Sequence, residues 1–193
     1  MPDIQSVAVF CGSNAGDDPV YRRAAEALGD GLARSGKTLI FGGGRVGLMG
    51  AVADAALKAG GRVIGVIPDF LTRREVAHPG VSELIVTDTM HVRKTRMFEL
   101  ADAFVSMPGG LGTFDETIEI ITWRQLGLHD KPVLICDVAG SAAPLLAMIE
   151  AAIEHGFAAP EVRRLYQRVD GVAALLGKLG KINAGAGGEA ALL

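Results

Sequence analysis

Cysteine, aromatic residues and long apolar runs are all scarce in this sequence. Only two of the 193 residues are cysteines, Cys11 and Cys136, and neither has a partner at the spacing of a metal site or a disulfide framework. We therefore expect buried thiols in a reducing compartment; the alternative is a reactive Cys11 beside the first glycine-containing turn. No apolar run reaches the roughly 18 residues of a membrane span, and the first residues lack the basic segment of a signal peptide. These absences predict a soluble cytoplasmic protein.

Positive charge is also limited. The 19 lysines and arginines are outnumbered by 22 acidic residues, which gives a formal net charge of −3. No overall basic field is therefore available for nucleic acid or an anionic membrane surface. Because no cluster of histidine and acidic residues has metal-ligand spacing, no metal is expected either.

Glycine, in contrast, is abundant at 26 residues, about twice its usual share, and much of it follows predicted strands.

Six apolar segments alternate with helical stretches of 11 to 17 residues. The segments are SVAVFCGS, KTLIFGGG, RVIGVIP, ELIVTD, DAFVSMPGG and KPVLICD. Strands that are apolar throughout, with helices between them, predict a parallel sheet covered on both faces. In such sheets ligands bind beyond the carboxyl ends of the strands, which is where the glycine clusters fall.

The chain shows no internal repeat and no linker between domains. Its length suits one domain, and we expect that domain to cover residues 1–181. The remaining INAGAGGEAALL, residues 182–193, has little periodicity and is expected to form a flexible tail.

The segment GGGRVGLMG follows the second predicted strand and contains Gly42-x-Gly44-x-x-Gly47. These letters match the dinucleotide fingerprint, but that motif belongs after the first strand and needs an acidic residue at the end of the next one. We favour a phosphate or nucleotide cradle that uses Gly43 and Gly44. The alternatives are a tight packing turn and a nicotinamide-dependent oxidoreductase. Ser13, in the turn that follows the first predicted strand, is a further candidate for a sugar or phosphate contact, although serine is also common in turns.

The segment MHVRK places Arg93 and Lys94 in the first turns of a predicted helix. Cations near a helix N-terminus oppose the helix macrodipole. An anionic ligand in the neighbouring crevice would remove that conflict. The alternative is a basic surface in contact with water.

The segment PGGLGTFDE presents glycines and carboxylates together. Thr113 and Glu116 have the spacing of a capping box, in which the threonine hydroxyl caps the helix and the glutamate reaches back to the cap amide. In that interpretation Glu116 has a structural role only. Gly109, Gly110 and Gly112, however, bring backbone amides toward the same point, and glycine-rich turns at helix N-termini bind anions. Glu116 would then act on another part of the ligand, such as a sugar carbon that becomes cationic during glycoside cleavage.

Together GGGRVGLMG, MHVRK, PGGLGTFDE and ITWRQLGLHDKPV resemble the LOG ("Lonely guy") family, the cytokinin riboside 5′-monophosphate phosphoribohydrolases. The resemblance covers about residues 5 to 155. It implies a single-domain α/β fold, a Rossmann-like doubly wound parallel sheet, and hydrolysis of a nucleoside 5′-monophosphate to free base and ribose 5-phosphate. AMP is a plausible general substrate, no cofactor is implied, and a homodimer is expected. The rival hypothesis is a protein that binds AMP-like nucleotides without cleaving them.

Members of this family often carry the label "possible lysine decarboxylase". That activity would need pyridoxal phosphate and a Schiff-base lysine, and no motif in the sequence supports either.

The resemblance also implies roles for individual residues. Arg93 and Glu116 match the catalytic positions. The sequence departs from the commonest plant form by having Leu111 in place of tyrosine and Phe114-Asp115 in place of Leu-Glu. Trp123 is either an interface anchor or a core residue. The residues that match substrate-contact positions are Glu75, Arg93, Lys94, Gly110, Leu111, Gly112, Thr113, Phe114, Asp115, Glu116 and Thr122.

Overall fold

Seven parallel strands form one sheet in the computed structural model, which describes residues 4–72 and 77–181. The spatial order is β4-β3-β2-β1-β5-β6-β7, so the direction of strand addition reverses between β1 and β5. The strands are β1 (Ser6–Phe10), β2 (Thr38–Phe41), β3 (Val63–Pro68), β4 (Glu83–Thr87), β5 (Ala103–Ser106), β6 (Val133–Asp137) and β7 (Gln167–Asp170). The predicted parallel α/β sheet is confirmed.

Helices cover both faces of this sheet, as expected for a doubly wound fold. Side chains alternate along β1, so that Val7 and Val9 contact one layer of helices while Ala8 and Phe10 contact the other. The first layer contains α1 (Pro19–Arg34), α2 (Gly47–Lys58) and α7 (Gly171–Leu179); the second contains α4 (Met90–Leu100), α5 (Leu111–Gln125) and α6 (Ala143–Glu154). A short α3 (Asp69–Thr72) follows β3, and a 3₁₀ turn (Pro160–Arg164) precedes β7.

Helix α1 shows how local sequence sets the limits of an element. The side chain of Asp18 accepts a hydrogen bond from the Val20 amide at 2.8 Å, and Pro19 occupies the first helical position, where its missing N–H costs nothing. Gly36 follows the helix with φ +67°, a conformation that favours glycine. The predicted stop at Gly36 is confirmed.

Strand β7 is the element that the sequence analysis missed. Three of its four residues are exposed, and it pairs only with β6 at the edge of the sheet. It therefore lacks the apolar run by which the other strands were predicted. Two expectations, the substrate contact of Glu75 and the tail at residues 182–193, lie outside the described residues. Within the described part of the chain, no helix has the length and apolar character needed to cross a membrane.

Candidate active site

A cavity of about 630 Å³ opens at the carboxyl ends of β1 and β5. This is the point where the strand order reverses, the usual ligand site of an open α/β sheet. Its volume lies within the range of small-molecule pockets, roughly 300–1,000 Å³. The lining residues are Val9, Cys11, Gly12, Ser13, Asn14, Ala15, Gly16, Tyr21, Gly42, Leu48, Met49, Arg93, Pro108, Gly109, Gly110, Leu111, Gly112, Thr113, Phe114, Glu116, Ser141 and Pro144.

Arg93 and Glu116 form a buried ion pair in this cavity. Arg93 Nη1 lies 3.2 Å from Glu116 Oε1, and the two side chains are only 8% and 10% exposed. Arg93 Nε also donates a hydrogen bond to the Val66 carbonyl at 3.1 Å, at the end of β3. The alternative of a basic surface is therefore wrong for Arg93. Removing one partner of a buried pair leaves an uncompensated charge in the interior. We therefore expect substitution of either Arg93 or Glu116 to lower the free energy of unfolding.

Helix α5 starts at the glycine turn that follows β5. The capping-box interpretation, with Thr113 as the N-cap, required a later start. Gly110 is the N-cap, and no described side chain caps this helix. Thr113 lies inside the first turn and Glu116 one turn further along, so the predicted capping box is wrong. The amides of Leu111, Gly112 and Thr113 are among those that an α-helix leaves without intrahelical partners. The sequence pattern predicted amides of this turn as anion-binding groups.

The glycines of this turn fall into two classes. A Cβ on Gly109 would lie 2.0 Å from Thr113 Oγ1 and 2.9 Å from the Gly12 amide nitrogen, so packing alone explains this glycine. A Cβ on Gly110 or Gly112 would meet no described atom within 4 Å, and neither residue has a positive φ. The protein's own packing does not require glycine at these two positions, which leaves bare backbone open to a ligand.

The turn after β2 uses its amides for packing instead. The Leu48 and Met49 amides at the start of α2 both donate to the Gly12 carbonyl, at 3.0 and 3.3 Å. A Cβ on Gly47 would lie 2.3 Å from the backbone of Ser13. The resemblance to a dinucleotide fingerprint therefore reflects close contact between the loops that follow β1 and β2.

Gly43 and Gly44 do not line the cavity. The Gly43 carbonyl accepts a hydrogen bond from the His78 amide at 2.9 Å, and Gly44 forms an isolated antiparallel bridge with Ala77. Their expected role in a phosphate cradle finds no support in these positions. Gly42 and Ser13, in contrast, do line the cavity.

Lys94, the next residue after Arg93, turns toward α5. Its Nζ donates a hydrogen bond to Asp115 Oδ2 at 3.0 Å and forms an ion pair with Glu119 Oε2 at 3.2 Å, which is not oriented as a hydrogen bond. Burial opposes the charge of Lys94, but contacts with Asp115 and Glu119 outweigh it and raise the pKa of the lysine. Lys94 and Asp115 are thus paired with each other beside the cavity rather than in its lining.

Thr122 and Trp123 lie further along α5. Thr122 is exposed, and its hydroxyl donates to the Ile118 carbonyl at 2.8 Å. It does not line the cavity of this chain. Trp123 is half-buried and packs edge-on against Phe98, with ring centroids 5.1 Å apart. That contact makes Trp123 at least partly a core residue.

Both cysteines are buried and free, as the sequence predicted. Cys11 lines the cavity, but burial raises the pKa of its thiol, the charge of Glu116 raises it further, and Arg93 offsets only part of this effect. Because the thiolate is the nucleophilic form, we expect Cys11 to be a poor nucleophile. Burial also raises the pKa of Cys136, to about 12.

Several lining residues were not predicted. Tyr21 comes from α1, and Ser141 and Pro144 come from the loop after β6 and the start of α6. Ser141 Oγ accepts a hydrogen bond from the Val138 amide at 3.2 Å, which shapes that loop. No local motif marks these residues, because the topology alone brings them to the cavity. The described residues contain no group of three histidine, cysteine or acidic side chains that could hold a metal ion.

Comparison with known proteins gives a consistent result. Residues 49–179 match a family model described as "possible lysine decarboxylase". The chain is 48% identical to a cytokinin riboside 5′-monophosphate phosphoribohydrolase of Rhodococcoides fascians, over 84% of this chain and 82% of that protein. It is 43% identical to a protein of the same name from Arabidopsis thaliana, over 90% of this chain and 81% of that protein.

Solved structures resemble the chain in fold. The molybdenum cofactor binding protein from Rippkaea orientalis superimposes with a TM-score of 0.69 at 22% identity, covering 93% of this chain and 96% of that one. A molybdenum cofactor carrier protein from Chlamydomonas reinhardtii gives 0.66 at 20% identity, with the same coverage. At this level of identity the likeness shows the architecture alone.

Proposed function

Because the chain belongs to the family of cytokinin riboside 5′-monophosphate phosphoribohydrolases, we propose that it hydrolyses the N-glycosidic bond of a nucleoside 5′-monophosphate. Water supplies a hydroxyl group to C1′ of the ribose and a proton to the departing nitrogen of the base. The products are ribose 5-phosphate and the free base. The reaction involves no net oxidation or reduction and needs no cofactor.

The observation that carries this proposal is the buried pair of Arg93 and Glu116 beside an open helix N-terminus. Cleavage of a glycosidic bond passes through an oxocarbenium-like state with positive charge on the sugar. A preorganised carboxylate in a water-poor site stabilises such a charge strongly. We assign this role to Glu116, together with orienting the attacking water.

The 5′-phosphate is assigned to the N-terminus of α5. Its free amides and the positive end of the helix dipole favour an anion, and Gly110 and Gly112 leave room for close approach. Glu116 lies one turn further along the same helix. One helix can therefore hold the phosphate at its first turn and present the carboxylate to the sugar.

Arg93 is assigned two tasks. Its Nη1 holds Glu116 and its Nε is fixed by the Val66 carbonyl, so the carboxylate keeps one orientation. The guanidinium is also a donor for the base as negative charge builds on its nitrogen. Because arginine does not deprotonate in proteins, we assign it to orientation and charge stabilisation rather than to proton transfer.

The proposal extends to the protein's substrates, its oligomeric state and its cellular location. We propose cytokinin riboside 5′-monophosphates and AMP as substrates, since both carry the 5′-phosphate that the α5 turn would bind. A homodimer and a cytoplasmic location complete the proposal. The dimer rests on the ITWRQLGLHDKPV resemblance, and the location rests on the two free cysteines.

Lysine decarboxylation, which the family model's description suggests, fits the site poorly. That chemistry would require a lysine able to form a Schiff base. None of the described residues that line the cavity is a lysine. The neighbouring Lys94 is held by Asp115 and Glu119. The positions of this chain's own lysines therefore favour the hydrolase.

The test is incubation of the protein with AMP and, separately, with isopentenyladenosine monophosphate, followed by chromatography of the products. We expect free base and ribose 5-phosphate in equal amounts from at least one of them. Adenosine is the control, and it should be cleaved far more slowly because it lacks the phosphate. Tight binding of both nucleotides with no release of base would instead support the non-catalytic nucleotide-binding protein.

A further inference from the structure

Gly42 directly follows β2 and lines the cavity beside Arg93. It does not adopt a positive φ, so its backbone conformation is open to any residue. Space is what restricts this position. A Cβ placed on Gly42 would lie 2.1 Å from Arg93 Nη2 and 2.9 Å from Met49 Sδ.

The guanidinium that fills this space is restrained on its other sides. Arg93 Nε is bound to the Val66 carbonyl and Nη1 to Glu116, while Met90 Sδ lies 3.9 Å from Nη1. A methyl group on Gly42 would therefore displace Nη2 and rotate the planar group away from at least one of these partners. The planar fork of arginine makes its contacts interdependent.

We propose that Gly42 is a positioning residue for the reaction: its missing side chain seats the Arg93 guanidinium against Glu116. This inference rests on the assignment of Arg93 and Glu116 as the catalytic pair. It gives the first glycine of GGGRVGLMG a function that neither a dinucleotide cradle nor a packing turn supplies.

The geometry separates this role from ordinary packing. The atoms that an alanine at position 42 would strike are the ends of two side chains, which can move without a backbone shift, so the stability cost is limited to the weakened Arg93–Glu116 pair. Gly29 provides the matched contrast, because a Cβ there would lie 2.1 Å from the Val52 backbone carbonyl oxygen, between α1 and α2. Backbone at such a distance cannot yield without shifting a helix.

The experiment compares Gly42→Ala with Gly29→Ala. For Gly42→Ala we expect kcat to fall by about 100-fold, the cost of misplacing a catalytic group by roughly 1 Å. KM should change by less than about threefold, because the α5 amides still hold the phosphate. The thermal midpoint should fall by less than that of Gly29→Ala, because side-chain ends yield more readily than backbone. Gly29→Ala should show the opposite pattern, with a lower midpoint and a normal kcat for the folded fraction.

Arg93→Lys tests whether Gly42 acts through the guanidinium. Lysine has no Nη2, so adding Gly42→Ala to Arg93→Lys should change the remaining activity by less than about twofold. A crystal structure of Gly42→Ala gives a second measurement that does not depend on turnover. We expect Arg93 Nη1 and Glu116 Oε1 to be more than about 4 Å apart, beyond ion-pair distance.

Each outcome bears on a different claim. A normal kcat in Gly42→Ala, or an unchanged Arg93–Glu116 distance in its crystal structure, overturns the role of Gly42. Full activity of Arg93→Ala overturns this proposal together with the assignment of the catalytic pair. An inactive Arg93→Ala beside a fully active Gly42→Ala overturns only the inference about Gly42.

Discussion

Arg93 Nη1 lies 3.2 Å from Glu116 Oε1. This ion pair connects α4 to α5 inside the cavity. This contact accounts for the position of a carboxylate directly behind a glycine-rich turn. Glu116 pairs with Arg93, and Asp115 pairs with Lys94 beside the cavity. Both acids are thus paired with cations of α4, while the amides of the turn itself stay available for an anion.

Substituting Gly112 should separate ligand binding from stability. A Cβ at this position meets no described atom within 4 Å, and alanine favours a helix over glycine by up to about 1 kcal/mol. We therefore expect Gly112→Ala to keep or slightly raise the free energy of unfolding. Because the methyl group occupies space beside the phosphate amides, KM for the nucleotide should rise about tenfold.

Gly177→Ala is the matched control for that change. Gly177 lies in α7, and a Cβ there also meets no described atom within 4 Å. This variant should keep both KM and kcat. Steady-state kinetics with AMP and urea denaturation would make the comparison, and an unchanged KM in Gly112→Ala would contradict the phosphate site at α5.

The contacts of Lys94 predict an order of stability losses. Lys94→Met removes the cation from two carboxylates, and the Lys94 and Glu119 side chains are only 17% and 21% exposed. We expect it to lower the free energy of unfolding by about 1–3 kcal/mol. Asp115→Asn should cost less than about 1 kcal/mol, because Asp115 is 60% exposed. Urea denaturation of both variants checks this order, and an equal cost would contradict it.

Cys11 should react slowly with alkylating reagents in the folded protein. The pKa of its thiol is raised by burial and by Glu116, so the reactive thiolate is scarce at pH 8. We expect iodoacetamide to modify Cys11 at least about tenfold more slowly than free cysteine, whose pKa is roughly 8.5. Mass spectrometry of the labelled peptide measures this rate, and denatured protein is the control. Rapid labelling at neutral pH would restore the alternative of a reactive Cys11.

His129 predicts a pH dependence of stability. Burial lowers its pKa below the ordinary value of 6.5; Arg124 and Lys131 lower it further, while the Ile120 carbonyl and Asp130 act in the opposite direction. The unfolded chain therefore binds the proton more readily than the folded one. The contribution of His129 to stability should be complete above pH 6.5 and decline as the pH falls below it.

Denaturation between pH 5 and 8 tests this expectation, with His129→Gln as the comparison. The variant should lose part of the wild type's decline below pH 6.5. An identical pH dependence in the two proteins would show that His129 does not titrate differently on folding.

The strands that position the site could be predicted because burial on both faces makes them apolar throughout. SVAVF and AFVS, which become β1 and β5, are of this kind. QRVD, which becomes β7, is not, because three of its residues are exposed at the edge of the sheet. A short strand held in place by a neighbour carries no hydrophobic pattern of its own.

The site itself was predicted where chemistry is concentrated in one short segment. MHVRK and PGGLGTFDE contain the pair that meets in the cavity. The local capping pattern of Thr113 and Glu116 was misleading, because Gly110 and not Thr113 is the N-cap, and Glu116 pairs with Arg93 of α4. Tyr21 and Ser141 depend on distant elements meeting at the strand ends, and no local spacing records that contact.

We propose that the carboxylate of Glu116 carries the hydrolysis. Its most direct test is the kcat of Glu116→Gln for base release from whichever of AMP and isopentenyladenosine monophosphate the wild type cleaves. Glu150→Gln is the matched control, because Glu150 also pairs with an arginine, Arg163, but on the surface. We predict that Glu116→Gln still folds and binds the nucleotide while kcat falls by about 10³-fold, and that Glu150→Gln keeps its activity. A Glu116→Gln protein that retains wild-type kcat would rule out this role of Glu116.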